Sequence, residues 1–303
     1  MSLFIQKNVC LRPASRISSW RRIALGTWKA PSDPSVYGTV DFPAEAALSY
    51  LQRIEAETGQ KMSITHFVGK AVAETLRRHP EMNCLLRMGR FYPRETIDIF
   101  FQVAPDSTGE DLSGTVIRKA DQKSAYEISV EMSQKVSKIK TKTDRSYSKM
   151  KKTMNQVPGL MAYRAVQLNA FLMYTMNRWS KLLGVPKDPF GSVMITNIGS
   201  LGLDSAYAPL VPCSRVPLVF ALGSVEERPF IEKGQVVPKL SVRLCATFDH
   251  RIVDGVYAGH FVKTLKKIFN DPEKELGYHK KDEESPNLNS PMPLIEPRAE
   301  SRF

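Results

Sequence analysis

The sequence predicts an α/β fold, a two-layer α+β sandwich in which a mixed sheet is covered by helices. Apolar residues recur at helical spacing between residues 41 and 79. Apolar segments of strand length follow in the second half, and residues 240–248 alternate cleanly between two faces. An amphipathic segment comes after them, so helices and strands are interleaved along the chain. This order is typical of a sheet with helices packed on it.

The N-terminal half begins with two predicted helices. Residues 41–58 carry leucine and isoleucine at helical spacing and end at Gly59, a residue that commonly stops a helix. Residues 63–79 repeat the pattern, and Pro80 closes it because proline cannot continue a helix. Residues 96–103 are rich in β-branched and aromatic residues, which predicts a strand.

A third helix and an insertion follow. Ser124 and Glu127 form a capping-box pattern, which predicts a helix start. A basic stretch at 135–152 then leads into residues 160–185, whose methionine, leucine and aromatic residues favour a helix. Polar residues interrupt this helix, which argues against a transmembrane span. We expect it to pack on the body or on a partner subunit, and a membrane-surface or substrate-channel element is the alternative.

The C-terminal half is predicted to be mainly strands. Residues 191–197 and 217–224 are short apolar strands, and residues 229–237 indicate a hairpin with Lys233 and Gly234 inside it. Residues 240–248 form the alternating strand. A final helix with one apolar face follows and ends at the Asn-Asp-Pro sequence of residues 270–272.

Composition and charge limit the function classes. The 303 residues are 42% hydrophobic and 24% charged, which is ordinary for a globular chain with a sizeable core. The formal net charge of +12 favours an acidic partner or ligand such as a phosphorylated cofactor, although a solvated basic surface explains it as well. No RNA-binding or zinc-finger signature accompanies the basic stretch, so no nucleic-acid partner is expected.

Metal, membrane and secretion signals are missing from the sequence pattern. The four cysteines are far apart and form no Cys-x-x-Cys pair, so no metal site is expected. No stretch is long and apolar enough to span a bilayer. The first residues lack a secretory-signal pattern, and a cytoplasmic protein is therefore expected.

The candidate chemistry concentrates on one histidine. His250 lies between the alternating strand and the last helix, in the segment Asp-His-Arg-Ile-Val-Asp-Gly of residues 249–255. A neutral imidazole can remove a proton from a thiol or an alcohol and return it later. Asp254 can pair with an arginine and pin the turn. Taken alone, a histidine flanked by charges is more often structural or solvated than catalytic.

Several motifs together resemble a known family. His-x-x-x-Asp-Gly after an alternating strand is similar to the signature of the chloramphenicol acetyltransferase-like superfamily, and Asp-His-Arg-x-x-Asp-Gly resembles the acyltransferase component of 2-oxo-acid dehydrogenase complexes. Residues 193–199 resemble the family's strand and turn, and residues 223–229 resemble its hairpin entry. The resemblance covers residues 15–278 and implies a catalytic domain of chloramphenicol acetyltransferase-like fold, with a helical insertion at about 145–185. Residues 1–14 are then an N-terminal arm and residues 279–303 a flexible tail.

The resemblance implies roles for three site residues. His250 matches the family's general base, which deprotonates the attacking thiol. Thr196 matches a hydroxyl, commonly that of a serine, which hydrogen-bonds the tetrahedral oxyanion. Asp254 matches a structural aspartate that pairs with an N-terminal arginine.

Structural support is expected from four further residues. Arg21 and Arg22 are both candidates for the arginine that pairs with the aspartate of the histidine motif. Asn197 and Gly255 are expected to support their turns and not the chemistry. The remaining histidines stand outside any motif and are expected to be structural or exposed.

The resemblance also implies an activity and an assembly. We expect transfer of an acyl group between coenzyme A and a thiol acceptor such as dihydrolipoyl, with acyl-CoA as a substrate and no metal. We expect a homotrimer with active sites shared between neighbours, and a larger cage of trimers is a further option. The sequence has no lipoyl-lysine hairpin, which favours either a lipoyl domain acting in trans or a free-standing enzyme with another acceptor. The alternatives are a free-standing acyl-CoA-dependent acyltransferase with a non-lipoyl acceptor, and a non-catalytic cage or scaffold subunit.

Overall fold

The computed structural model describes residues 18–20, 23, 33–103, 113–141, 157–180 and 185–277. The contacts divide the chain into two units, Met1–Pro34 and Ser35–Phe303. In the first unit, Trp20 and Ile23 are helical and exposed. The expected arm at residues 1–14 and the expected tail at residues 279–303 lie outside the described residues.

The second unit alternates helices and strands along its described residues. The helices are α1 (Glu45–Thr58), α2 (Ile64–Arg78), α3 (Ala125–Lys140), α4 (Gly159–Ala170), α5 (Gly255–Asn270) and α6 (Pro272–Leu276). The strands are β1 (Ser35–Pro43), β2 (Cys84–Arg87), β3 (Arg90–Pro93), β4 (Ile99–Val103), β5 (Ser113–Ile117), β6 (Val193–Asn197), β7 (Leu218–Glu232) and β8 (Gln235–Asp249).

Six of these strands form one mixed sheet in the order β1-β8-β7-β6-β4-β5. The strand pairs β1–β8, β8–β7 and β4–β5 are antiparallel. Strand β6 is parallel to both of its neighbours, β7 and β4. Strands β2 and β3 form a separate hairpin. The expected α/β class with a mixed sheet is confirmed.

Helices cover one face of the sheet and enclose the main core. Phe42 of β1 stacks on Phe269 of α5 with ring centroids 4.5 Å apart, and Phe67 of α2 meets the same ring edge-on at 5.0 Å. All three rings are at most 1% exposed. Burying such rings contributes strongly to the hydrophobic free energy of folding, because each ring removes a large apolar area from water. Smaller apolar clusters lie on the opposite face, where Val211 and Ala206 pack near β6 and β7.

The first predicted helix begins later than expected. Residues 41–43 belong to β1, and α1 starts at Glu45. Asp41 faces Arg243 across the β1–β8 pair and accepts two hydrogen bonds from its guanidinium, at 2.7 and 2.9 Å. Pairing with β8 stabilises residues 41–43 as a strand. The sequence around these residues does not show which distant strand they pair with, so it could not predict this conformation.

The helix of the insertion is shorter than expected. It was predicted over residues 160–185, but α4 ends at Ala170 and continues only as a wide π-turn to Thr175. Asn177 has a left-handed φ of 52°, a conformation that ends a helix, and Arg178 N donates to the Leu172 carbonyl at 2.8 Å. The boundary is therefore set by a backbone turn that apolar spacing does not report.

Three other expected features are confirmed. Ser124 and Glu127 make both hydrogen bonds of the capping box at the start of α3. The β7–β8 hairpin turns at Lys233 and Gly234, whose φ values of 49° and 82° suit a tight two-residue turn. Helix α5 ends at Asn270.

His66 makes the stability of the fold dependent on pH. Its Nδ1 accepts a hydrogen bond from Ser63 N at 3.1 Å in the capping box of α2, and its side chain is buried. Burial lowers the pKa of His66 from 6.5 to about 4. The unfolded chain therefore binds a proton near pH 6.5 that the folded chain binds only near pH 4. Stability is lost as the pH falls through this window, by about 3 kcal/mol in total.

Urea unfolding at several pH values between 7 and 4 tests this effect. His66→Gln keeps a side chain that suits this capping position but removes the titration. We expect the variant to lose less stability than the wild type over the same window. If the free energy of unfolding changed equally with pH in the two proteins, other groups would be the cause of the acid sensitivity.

Candidate active site

His250 stands at one end of the sheet, directly after β8. It is exposed, and it occupies a tight turn that connects β8 to α5. Ile252 N and Val253 N both donate to the Asp249 carbonyl at 2.9 Å, which closes the turn. The buried side chains of Ile252 and Val253 anchor the turn to the core, so the imidazole is presented to solvent from a fixed backbone.

A buried carboxylate braces the start of this turn. Asp249 is 6% exposed and accepts hydrogen bonds from Arg251 Nε at 2.9 Å and Nη2 at 2.6 Å. The Arg251 backbone N–H donates to the same carboxylate at 3.0 Å. The hydrogen bond to Asp249 raises the pKa of Arg251, so the guanidinium stays charged. This pair bridges the two sides of His250 and restricts the loop that carries it.

Asp254 braces the other end of the turn. Its Oδ1 accepts hydrogen bonds from Val256 N and Tyr257 N, both at 2.9 Å, and thereby caps the N-terminus of α5. Gly255 is the first residue of α5, and a Cβ atom added there would meet no atom within 4 Å. The expected pairing of Asp254 with Arg21 or Arg22 falls outside the described residues.

Thr196 lies near the end of β6, on the face opposite to the main helices. It is half-buried and in register with Ala221 of β7, which is in turn opposite Cys245 of β8. The next residue, Asn197, donates to Thr65 Oγ1 at 2.8 Å and accepts from Ser200 N at 3.1 Å. Asn197 therefore ties the end of β6 to α2 and to the turn that follows.

Close backbone packing holds the turn after β6. A Cβ atom on Gly199 would lie 2.6 Å from Ser224 N, and one on Gly223 would lie 2.1 Å from the Asp204 carbonyl oxygen. Only glycine fits at both positions, since real Cβ atoms do not approach backbone so closely. The end of β6, the middle of β7 and the chain near Asp204 therefore meet beside Thr196.

The structure places His250 and Thr196 at different levels of the sheet. Thr196 shares a row with Cys245, which lies two strands away and inside β8, whereas His250 follows five residues later in the chain, just after β8 ends. Two strand spacings and five residue rises separate the two backbones by roughly 20 Å. One chain therefore does not bring these side chains to the same reacting atoms.

An apolar cavity, which the sequence pattern did not reveal, lies next to the His250 turn. It has a volume of about 210 Å³ and lies between α5 and the strands β1, β7 and β8. Phe248 and Val253, which flank the histidine turn, are among its lining residues.

The other histidines have structural surroundings where they are described. His66 belongs to the capping box of α2. His79 Nε2 lies 2.8 Å from Thr264 Oγ1, and its ring stacks on His260 at 6.2 Å. His279 lies outside the described residues. In the described part of the chain, no three His, Cys, Asp or Glu side chains cluster in a way that could hold a metal ion.

The apolar helix α4 is anchored at its C-terminal end. Tyr174 donates to Asp188 Oδ1 at 3.2 Å, and Arg94 donates to Asp188 Oδ2 at 2.7 Å. In contrast, Leu160 and Tyr163 on α4 are 95% and 74% exposed. Among the described helices, none combines the length and apolarity needed to cross a membrane. The expected subunit contact of this segment stays a prediction.

The fold and the site together define a class of protein. It comprises α/β domains that present one exposed histidine from the braced turn after a strand of a mixed sheet. The chain belongs to the 2-oxoacid dehydrogenases acyltransferase (catalytic domain) family, whose model matches residues 21–171 and 189–276. The match omits residues 172–188, which overlap the C-terminal part of the expected insertion at about 145–185. The resemblance inferred from the motifs is thereby confirmed.

Curated relatives agree with this family. The chain is 25% identical over 248 residues to a probable dihydrolipoyllysine-residue succinyltransferase component of the 2-oxoglutarate dehydrogenase complex of Schizosaccharomyces pombe. It is also 25% identical over 225 residues to a dihydrolipoyllysine-residue acetyltransferase component of the pyruvate dehydrogenase complex of Bacillus subtilis. These alignments cover 80% and 73% of this chain but only 45% and 41% of the relatives' own lengths.

Solved structures share the fold. A dihydrolipoamide acetyltransferase of Azotobacter vinelandii superposes with a TM-score of 0.60 at 19% identity, covering 80% of this chain and 84% of that one. The cubic core of a pyruvate dehydrogenase multienzyme complex has a TM-score of 0.60 at 17% identity, covering 88% of this chain and 100% of that one.

Proposed function

We propose that this chain transfers an acyl group between coenzyme A and a thiol acceptor such as dihydrolipoyl, with His250 as the general base. The observation that carries the proposal is the exposed His250 on its doubly braced turn, in a chain of an acyltransferase family. In the Azotobacter vinelandii relative, a serine, a histidine and an asparagine have roles in the catalytic mechanism, and the last two are four residues apart. His250 and Asp254 have the same spacing.

The proposed transfer requires His250 to accept one proton from the attacking thiol and to return it later to the leaving thiolate. His250 Nε2 or Nδ1 accepts the proton of the attacking thiol as its sulfur adds to the thioester carbonyl carbon. The carbonyl oxygen becomes an oxyanion, which the hydroxyl of Thr196 stabilises by donating a hydrogen bond. The intermediate then breaks its bond to the sulfur of coenzyme A, and the imidazolium returns the proton to that thiolate. One thioester is exchanged for another, so no oxidant or reductant is needed.

A site that uses both side chains must draw them from two subunits. The separation of roughly 20 Å between the two backbones within one chain supports a site that is shared between two copies. We propose a homotrimer in which His250 of one subunit faces Thr196 of the next, with a larger cage of trimers as a further level of assembly. The exposed apolar residues of α4 are one candidate for the surface that closes the ring.

Subunit complementation tests the shared site. His250→Ala and Thr196→Ala proteins, each nearly inactive, are dissociated, mixed in equal amounts and reassembled. Random mixing in a trimer makes about a quarter of the sites intact, so activity should recover to about a quarter of the wild-type value. His250→Ala mixed with the double variant is the matched control and should stay inactive. Recovery in neither mixture, with mixed oligomers confirmed by mass, would contradict a shared site.

The activity itself is tested with a panel of acyl donors and acceptors. The protein is incubated with acyl-CoAs and either free dihydrolipoamide or a separate dihydrolipoyl domain, and released coenzyme A is separated and quantified. Transfer to either thiol supports the proposal, and a preference for the domain supports a lipoyl domain acting in trans. Transfer only to an alcohol or amine would favour the free-standing alternative. No transfer to any acceptor by an assembled oligomer would favour the scaffold alternative. The cytoplasmic location stays a prediction.

A further inference from the structure

The cavity beside the histidine turn exists because small residues face one another. Gly38 of β1 and Ala246 of β8 are direct neighbours in register, and Ala258 of α5 lines the same cavity. Large side chains such as Phe220 and Phe261 surround these small residues. The space is therefore built into the β1–β8 ladder and the facing side of α5.

The lining of this cavity is suited to a hydrocarbon. Of its sixteen lining residues, none is charged, and only Tyr37 and Thr39 have polar side chains. Both belong to β1, the edge strand of the sheet. A carboxylate placed inside would lose its hydration without gaining a partner, which is strongly unfavourable. An uncharged aliphatic chain has no comparable hydration to lose, and the burial of its apolar surface in the cavity would be favourable.

The position of the cavity connects it to the proposed chemistry. Phe248 precedes His250 by two residues, Val253 follows it by three, and both line the cavity. From this end, the lining continues along β8 to Leu244 and along α5 to Leu265. The cavity thus extends about 10 Å away from the histidine turn, between the two elements that the turn connects.

We propose that this cavity is the acyl-chain subsite and selects a straight, uncharged acyl group of roughly six to eight carbons, since a cavity of about 150 Å³ already binds benzene. The inference rests on the proposed function, because the reacting carbonyl must lie beside His250. Acetyl would leave the cavity empty. Succinyl would place its terminal carboxylate among apolar side chains.

Chain-length dependence follows from burial. Each methylene group transferred into the cavity strengthens binding by roughly fourfold, the equivalent of about 0.8 kcal/mol. We therefore expect kcat/KM for hexanoyl-CoA to exceed that for acetyl-CoA on the order of 100-fold. Octanoyl-CoA should gain little beyond hexanoyl-CoA, because the cavity is then full.

Variants on opposite walls test the subsite. Gly38→Val and Ala258→Leu fill it from the sheet and from the helix, and a Cβ atom at Gly38 would approach no atom closer than 4.0 Å. Each should lower kcat/KM for hexanoyl-CoA by about tenfold or more while leaving acetyl-CoA near the wild-type value. Phe248→Ala enlarges the cavity and should shift the preference to longer chains. Gly259→Leu adds a side chain on α5 outside the lining, where a Cβ atom meets nothing within 4 Å, and should leave the preference unchanged.

Calorimetric binding of hexanoyl-CoA and acetyl-CoA without acceptor separates this inference from the proposed function. One outcome is that no acceptor is acylated, but hexanoyl-CoA binds more tightly than acetyl-CoA and Ala258→Leu removes this difference in affinity. That outcome would support the subsite and contradict the proposed transfer reaction. If transfer occurs with no chain-length preference, or all variants slow every acyl-CoA equally, the subsite is wrong and the proposed function survives. Filling variants that raise only the KM for dihydrolipoamide would assign the cavity to the acceptor and overturn the proposal. If either filling variant fails to fold, the one on the opposite wall gives the same readout.

Discussion

His250→Ala is expected to lower the rate of acyl transfer by a factor of about 10²–10⁴, the usual contribution of a general base. The loss should be in kcat, because the imidazole is proposed to act on the proton that moves in the transition state. The side chain is exposed and its turn is held by Asp249 and Asp254, so the substitution should leave the fold intact. Steady-state kinetics and thermal unfolding of the same preparation measure both effects.

His260→Ala is the matched control for this variant. His260 is also an exposed histidine, and it lies on the same helix that follows the turn, α5. The control should keep wild-type kinetics. If His250→Ala folded normally and retained nearly full activity, His250 would not be the base.

Thr196→Ala is expected to lower kcat by a factor of about 10²–10³, because it removes the hydroxyl that we propose as the donor to the oxyanion. Thr196→Ser keeps the hydroxyl and loses only a methyl group, so it should retain most of the activity. The difference between the two variants isolates the hydroxyl from the packing of the side chain. Both are compared by their kcat and KM values with the preferred acyl-CoA.

Thr58→Ala provides the matched control. Thr58 is the last residue of α1 and lies outside the lining of the cavity. Its hydroxyl donates to the Ile54 carbonyl at 2.6 Å within the helix, so its loss should affect local stability and not the rate of transfer. Equal kcat values for Thr196→Ser and Thr196→Ala would remove the Thr196 hydroxyl from the mechanism.

Local patterns predicted the elements whose stability is largely local. The apolar spacing before Pro80 predicted α2, and Ser124 with Glu127 predicted the start of α3 through a capping box that the structure contains. The alternation of residues 240–248 predicted the end of β8 that precedes His250. These signals involve residues within one or two turns of a helix or along one strand, so the sequence displays them directly.

Elements that depend on distant partners were missed or misplaced. Strand β1 was partly assigned to a helix because its conformation is stabilised by pairing with β8, about 200 positions later. Helix α4 was predicted to be too long. The spacing of apolar residues does not show whether Asn177 has a helical or a left-handed backbone conformation. The cavity was missed because Gly38 and Ala246 become neighbours only in the β1–β8 register.

The sequence by itself determined the α/β class, the family and the candidate base. These follow from motifs and periodicities that are contiguous in the chain, as in residues 249–255 around His250. Only the tertiary structure decided that Thr196 and His250 lie at different levels of the sheet, too far apart to meet within one chain, and that small residues enclose a space beside the histidine turn. The physical reason is that strand order, direction and register arise from pairing between distant segments, and a one-residue shift in register would exchange the faces on which these side chains stand.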